Sequence, residues 1–342
     1  MTTQAEGAPL RGNRRPTLYD VAKLAGVSHQ TVSAVVNGGP NVRDRTRERV
    51  EVAIAELGYQ PNLAARALAS ARSQRIGALF FDRYDEIGPT RNVQAAIDTA
   101  RDAGYLVDVI GVEATRPDQV ERAITLSLQA GVAGIAVFAP TREAVQLIEQ
   151  RELPVPVVIE SSIRPPDDEP AIGMDGVQLI VEHLAALGHT RIAHISGPLS
   201  WVPAQGRIQS AHEAARRFGM QVVDVEGGWT AESGYRATRS LDLTDITAVF
   251  ASNDQMALGA IKAVRETGRA VPGDMSVAGY DDVPESGYFE PALTTVAEDF
   301  EGRGRLVMTR LLEQIDTEHT AGARWYEPPR LVVRASTAAP AH

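Results

Sequence analysis

The 342-residue chain has no cysteine. That excludes disulfides and thiolate-ligated zinc, and it fits a cytoplasmic protein, because disulfides belong to oxidising compartments. Lysine is nearly absent too: apart from Lys23 and Lys262, every Lys/Arg cation is an arginine. No apolar run approaches the roughly 20 residues of a membrane-spanning helix. The opening "MTTQAEGAPLRGNRRP" lacks an apolar h-region, so neither a membrane anchor nor an export signal is expected. Several enzyme signatures are missing. No Gly-x-Gly-x-x-Gly opens a helix, there is no phosphate-loop lysine motif, and there is no Gly-x-Ser-x-Gly elbow. His183, His189 and His194 are not at the i, i+4 spacing of a helical zinc pair and read as helix-end and strand residues. Asp167, Asp168 and Glu169 lie beside two prolines and read as an exposed loop. With no nucleophile and base to assemble, the chain reads as a non-enzyme without catalytic residues, metal or cofactor.

What is present is uneven. Residues 1–72 hold ten Arg and Lys against six Asp and Glu, a net of +4, whereas the remainder is net -14, against -10 overall. A small basic unit joined to a large acidic one suggests a nucleic-acid contact at one end. Chance variation in surface charge would give the same balance. The length exceeds one common domain, so two or more units are expected.

Residues 1–16 are polar with Gly, Pro and three Arg, and read as a disordered tail. Thr17 can cap a helix, with Asp20 as its acidic partner at the third helical position. "LYDVAKLAG" then predicts a helix burying Leu18, Val21, Ala22 and Leu24, ended by Gly26, with Val27 plugging the turn. Ser28 caps a second helix, "HQTVSAVVN", with Val32, Val35 and Val36 inward and a stop at Asn37, Gly38 and Gly39. A third helix starts near Asp44, with Val50, Ile54 and Leu57 buried. Two short helices joined by a tight turn, with a third as brace, make a helix-turn-helix unit over 17–61. That fold puts His29, Gln30 and Thr31, in the first turn of the second helix, at the floor of a DNA major groove. Gln can bond an adenine through two atoms, and Thr or His can read a base edge or a phosphate. Tyr19, Thr46 and the arginines Arg45, Arg47 and Arg49 would sit near the DNA backbone. An ordinary three-helix bundle with a polar surface shows the same pattern.

"NLAARALASARS", Asn62 to Ser73, is Ala-rich and lacks internal Gly. Its helix propensity is good, but it only reaches the lower end of the roughly 12–15 residues that an isolated helix needs in water. It should be coil when free and helix when something stabilises it. From Arg75 short apolar strands ("RIGALFF", "YLVDVIGV", "VAGIAVFA", "PVPVVIE") alternate with amphipathic helices, and the rhythm restarts after Asp175. Such repetition predicts an α/β fold of parallel sheets with helices on both faces. Two series suggest two subdomains, each with a ligand-facing edge at its strands' C-terminal ends. The boundaries expected are 74–172 with 298–326 for the first subdomain and 173–297 with 327–336 for the second, followed by a disordered tail over 337–342. At the strand ends lie Asn253 after "VFAS" and Asp281 after "VAGY"; Arg207 opens the helix after "ISGPLSWVPAQG", and Trp229 follows "VEGG". A carboxylate, an amide and a guanidinium can hold several hydroxyls through charge-assisted bonds, and an indole face suits the C–H face of a sugar ring. Each polar residue could equally be a cap or surface group, and Trp229 a core residue.

"TLYDVAKLAGVSHQTVSAVVNG" and "RTRERVEVAIAELGYQPN" resemble the headpiece of the lactose-repressor (LacI/GalR) family of bacterial transcription regulators. "EHLAALGHTRIAHISGPLS", "SNDQMALGAIKA" and "SVAGYDDV" resemble its effector domain, a periplasmic-binding-protein-like clamshell. The resemblance covers nearly all of residues 17–336. It implies a helix-turn-helix headpiece plus a periplasmic-binding-protein-like domain of two doubly wound parallel-sheet subdomains. The DNA-facing set it implies is Thr17, Tyr19, Ser28, His29, Gln30, Thr31, Ser33, Asn37, Asn41 and Thr46, with Asn62, Ala65 and Leu68 in the hinge. Arg207, Trp229, Asn253 and Asp281 match the family's sugar-contacting positions. Three departures stand out. Ala34 replaces an Arg common in the family. Arg142 stands where the family's sugar contacts include an Asp, and Glu298 replaces a glutamine. The loop "FDRYDEIGPTR" is longer than its counterpart and offers Asp82, Arg83 and Tyr84 as candidate contacts.

The implied function is a homodimeric repressor that binds a near-palindromic double-stranded operator and is controlled by a small sugar, a galactoside or related β-glycoside. The C-terminus "RLVVRASTAAPAH" has no leucine heptads, which favours a dimer over a coiled-coil tetramer. The alternative, a solute-binding protein of a sugar transporter, would need an export signal and no basic headpiece. In the family, paired hinge helices fold on DNA, and a leucine at the position of Leu68 wedges between central base pairs, a contact that trades unstacking for a kink. Leu68→Ala is expected to weaken operator binding while leaving effector binding intact, in parallel DNA and ligand titrations.

Overall fold

Thr17 and Asp20 close the reciprocal cap that their spacing predicts. The Thr17 main-chain N–H and hydroxyl donate to Asp20 Oδ2 at 2.8 and 2.6 Å, and the Asp20 N–H donates back to Thr17 Oγ1 at 3.4 Å. The helix so opened is the first element of a computed structural model that describes residues 16–36, 42–60, 73–81, 87–113, 116–138, 141–160, 176–316 and 326–341. The chain divides into two units at Ser73–Gln74, and each is described by itself.

The smaller unit holds α1 (Leu18–Ala25), α2 (His29–Val36) and α3 (Asp44–Leu57). Gly26 ends α1 in the left-handed region at φ +62°, where a residue without Cβ carries no steric penalty. The Val27 N–H then donates to the Ala22 carbonyl at 3.1 Å. Val21, Ala22, Ala25, Val32, Val35, Val50 and Ala53 form the core, and Leu18, Val27, Val36, Ile54 and Leu57 pack against it half-buried. Leu24, expected inside, is 45% exposed. The buried stripe of α1 runs through Leu18, Val21, Ala22 and Ala25, the i, i+3, i+4, i+7 positions of one helix face, and Leu24 falls outside it. Arg49 of α3, expected near DNA, turns its guanidinium onto the Ala25 and Gly26 carbonyls at the end of α1.

The larger unit has two parallel sheets. The first, in the order β2-β1-β3-β4, is built from β1 (Arg75–Phe80), β2 (Leu106–Gly111), β3 (Gly134–Phe138) and β4 (Val157–Ile159). Alternate strand residues face opposite sides, and both sides are covered. Ile76, Ala78 and Phe80 pack against α4 (Ile87–Asp102) and α11 (Phe300–Ile315). Leu79, Ile135 and Val137 pack against α5 (Pro117–Gln129) and α6 (Arg142–Glu149). The second sheet, β6-β5-β7-β8, uses β5 (Arg191–Ser196), β6 (Gln221–Glu226), β7 (Ala248–Ala251) and β8 (Ser276–Ala278). One side meets α7 (Gly176–Ala186) and α8 (Val202–Phe218) through Ile192, Phe250, Ile180 and Ala211. The other meets α9 (Ala231–Ser240) and α10 (Asp254–Glu266) through Ile195, Val249, Ala237 and Met256. β9 (Thr295–Ala297) and β10 (Arg330–Val332) form an antiparallel pair, Leu331 opposite Val296.

Four details differ from the sequence reading. α8 starts at Val202, so Arg207 lies in its second turn and does not open the helix. α4 starts at Ile87, inside the stretch read as a loop. α9 has no counterpart in that reading, because it buries Ser233, Gly234, Ala237 and Thr238 rather than large apolar residues. The segment after residue 336 is tied down rather than a free tail. Thr337 Oγ1 lies 2.9 Å from His183 Nε2, and Ala338 donates to Ser276 Oγ at 3.0 Å. Among the described residues no helix is long and apolar enough to cross a membrane.

A Cβ on Gly26 would lie 2.9 Å from Arg49 Nη2, in a backbone conformation that L residues rarely adopt. Gly26→Ala is therefore expected to destabilise the smaller unit by about 1–2 kcal/mol, read as a lower melting temperature of its helical signal. An unchanged melt would show that Arg49 does not hold the turn.

Candidate functional site

The rim of α2 offers the first candidate surface. Ser28 Oγ accepts from the Thr31 N–H at 3.1 Å and lies 2.9 Å from the Thr31 hydroxyl, so Ser28 caps the helix and Thr31, half-buried, faces that cap. His29 and Gln30 are exposed beside them. Tyr19, 69% exposed on α1, lies against the His29 ring with centroids 5.2 Å apart. Tyr19, His29 and Gln30 thus share one exposed rim, while Thr17 is occupied in its capping box. Ser33 and Thr46 are half-buried. Asn37, Asn41, Asn62, Ala65 and Leu68 lie outside the described residues.

The second candidate lies where the C-terminal edges of the two sheets meet. Thr141, after β3, forms a bridge with Trp201, after β5. The Arg142 N–H donates to the Ser200 carbonyl at 3.4 Å, and its side chain donates to Gln205 Oε1. Such edges are where α/β folds take ligands. Behind this junction Arg207 reaches from α8 across the ends of β7 and β8. It donates to the Ser252 carbonyl, lies 3.5 Å from Asp281 Oδ1, and places its guanidinium 4.0 Å from the centroid of the Tyr280 ring and 5.6 Å from that of Trp229. Trp229 holds φ +66° and is 7% exposed, with its indole N–H buried and without a hydrogen-bond partner among the described residues. Its ring lies against Gly197, where any Cβ would collide with it. Asn253 caps α10 by accepting from the Met256 N–H at 2.8 Å and donates to the Trp229 carbonyl at 2.8 Å. Asp281, at φ +103°, is half-buried, and desolvation pushes its carboxyl well above the ordinary range against the pull of Arg207. Arg207, Trp229, Asn253 and Asp281 are therefore one linked cluster.

Glu298 joins that cluster from the crossover side by accepting from the Tyr280 hydroxyl. Burial alone would raise its carboxyl, but Arg303, then Arg207, then the Tyr280 bond hold it below the ordinary value. Arg303 lies 2.7 Å from Glu298 and 3.5 Å from Glu160, which also accepts from Asn92 at 2.6 Å. The sequence reading did not single out Tyr280, Arg303 or Glu160, because their pairing spans separate elements and carries no local spacing. Asp254 was missed likewise. Burial pushes it up to about 6, although Ser286, Thr295 and the Val283 N–H all donate to it. Arg142, exposed, sits at the junction. Asp82, Arg83 and Tyr84 lie outside the described residues. His183, His189 and His194 point to hydroxyl and carboxylate partners, and no metal-holding group is found among the described residues.

Residues 17–62 match the family described as bacterial regulatory proteins, lacI family, and residues 181–337 match a periplasmic binding protein-like domain. The lactose operon repressor of Escherichia coli (strain K12) is 38% identical over 330 residues, 95% of this chain and 91% of that protein. A crystal structure of the lac repressor dimer bound to operator and the anti-inducer ONPF superposes with a TM-score of 0.82 at 36% identity, covering 95% of this chain and all of that one. A complex of the transcriptional regulator CelR with cellobiose superposes with a TM-score of 0.67 at 31% identity, covering 94% and 100%.

Arg303 lies against two carboxylates largely shielded from water and is the strongest charge holding Glu298 ionised, so its removal weakens that set. Arg303→Met is expected to cost roughly 2 kcal/mol of stability, with part regained in the Arg303→Met, Glu298→Gln double variant. Denaturant unfolding checks this; additive losses would deny the pairing.

Proposed function

This chain belongs to the lacI family of bacterial regulatory proteins, and we propose that it is a homodimeric transcriptional repressor controlled by a galactoside or related β-glycoside. Regulation of transcription through DNA and a small effector, not catalysis, is what membership brings. The observation that carries the finer reading is the convergence of Arg207, Trp229, Asn253 and Asp281 at the facing sheet edges. A largely shielded guanidinium and carboxyl can exchange bonds with ring hydroxyls. The indole supplies an apolar face and a buried N–H with no acceptor among the described residues. The lactose operon repressor and the cellobiose complex among the relatives both fit a β-linked sugar.

The second-sheet residues suit any pyranose, so discrimination falls to the opposite half. There Arg142 and Glu298, with Asp82, Arg83 and Tyr84, would read the variable part of the sugar. Arg142 already reaches Gln205, two residues before Arg207 on α8. A ligand that drew Arg142 away would change the contact between the two halves. Such a ligand shifts DNA affinity only by its preference for one arrangement over the other, commonly about 1–3 kcal/mol. On the DNA side, Gln30 and His29 carry the base readout, with Tyr19 bracing His29, and a dimer presents the two copies to a near-palindromic operator. No observation favours the transporter alternative, since the headpiece residues 17–62 have no use in it.

The test is a titration of the DNA upstream of the protein's own gene, with and without lactose and cellobiose. At least one sugar should change operator affinity. Arg207→Ala should keep DNA binding and lose the sugar response. Gln30→Ala should lose about 1–3 kcal/mol of discrimination at one base pair. Operator binding that ignores every sugar would overturn the effector reading, and an unaltered base preference in Gln30→Ala would overturn the readout.

A further inference from the structure

A second polar cluster runs beneath α8, in space that this fold otherwise fills with apolar side chains. His194, in the middle of β5, is fully buried and stacks on Phe250 of β7, with ring centroids 4.9 Å apart and planes within 9°. Its Nδ1 lies 2.9 Å from Asp224 Oδ1 on β6, and its Nε2 lies 2.8 Å from Ser252 Oγ after β7. Asp224 Oδ2 is 2.5 Å from Nε2 of His212 on α8, which reaches solvent. A carboxylate only accepts, so the Nδ1–H of His194 donates to Asp224 and the ring's other nitrogen accepts the Ser252 hydroxyl. Burial favours the neutral ring this pattern requires. Ser252 is itself fully enclosed. The Asp–His–Ser order that elsewhere activates a nucleophile therefore has no access to a substrate here, and what it can do is orient. The Ser252 carbonyl accepts from Arg207.

We infer that His194 is a positioning residue of the effector site: with its tautomer set by Asp224, it clamps Ser252 and thereby aims the Ser252 carbonyl that orients the Arg207 guanidinium. Preorganised contact groups need a supporting layer whose own rotamers are locked, and three polar residues, on β6, on β5 and just after β7, supply one. The role in ligand binding rests on the function proposed above; the aiming of Arg207 does not.

The test therefore has two arms on the full chain. In the first, nuclear magnetic resonance follows the guanidinium signals of Arg207 without any ligand. The unaltered protein should show distinct, slowly averaging Nη signals. His194→Leu should average them, and His194→Gln, whose amide oxygen can still accept from Ser252, should restore them. Ser252→Ala should average them too, and it carries the test if His194→Leu does not fold. In the second, titration with lactose and cellobiose should show roughly tenfold weaker binding of the accepted sugar in His194→Leu, the loss of one buried hydrogen bond, with recovery in His194→Gln. Unchanged Arg207 signals in His194→Leu or Ser252→Ala overturn the proposal. Absence of binding by the unaltered protein to either sugar counts against the functional reading instead, while the Arg207 signals still decide this one.

Discussion

A guanidinium held out of water must find partners for its donors, and in the larger unit that requirement organises the junction between the two sheets. Arg207 cannot lose its charge. Its side chain is 13% exposed, so its surroundings must supply acceptors and π faces. They are four groups from three separate stretches: the Ser252 carbonyl, the Tyr280 ring with the adjoining Asp281, and the Trp229 ring. Two of the four carry backbone strain, since Trp229 and Asp281 sit at positive φ without being glycine. Such conformations cost about 1–3 kcal/mol each and persist where surrounding structure imposes them, as at ligand sites. Asn253 supplies that imposition for Trp229 by holding its carbonyl while capping α10.

The same cluster is only partly satisfied. The Trp229 indole N–H is buried without an acceptor among the described residues, and Asp281 meets Arg207 at 3.5 Å, long for a charge-assisted bond. Burial has raised the Asp281 carboxyl, which eases its holding a proton. A hydroxylated ligand can complete these bonds, whereas an apolar one cannot. Glu298 and Arg303 show the opposite condition: a closed ionic set between the crossover and the first sheet, tied to the cluster through the Tyr280 hydroxyl. A satisfied frame beside an unsatisfied centre is the arrangement expected of a site that orders its contact groups before its occupant arrives. The smaller unit divides its side chains in the same way, with Thr17, Ser28 and Arg49 serving helix ends while His29 and Gln30 stay outward.

Much of this was legible in the residues. The capping box at Thr17 and the strand–helix alternation are local patterns, and the structure has them. Leu24 shows the limit of reading apolar residues singly: the stripe through Leu18, Val21, Ala22 and Ala25 already fills that face. α9 escaped because it packs through Ser233, Gly234 and Ala237, and small residues leave no periodic signal. The four residues of the cluster were legible only through resemblance, since polar residues at strand ends are as often caps, and Asn253 is indeed a cap as well. The ties among Tyr280, Glu298, Arg303 and Glu160, and those joining His194 to Asp224 and Ser252, were not legible. Each joins residues far apart in sequence, and pairing across a fold leaves no trace in spacing.

The central claim is that one occupant of the Arg207 cluster and one DNA duplex act on a shared equilibrium. Linkage makes that claim symmetrical: the factor by which a sugar changes operator affinity must equal the factor by which operator changes sugar affinity. Calorimetric titration of the sugar into free protein and into the protein–operator complex measures the second factor directly. The account predicts sugar affinities that differ between the two by the same ratio found for DNA. Equal affinities in the two titrations would contradict it.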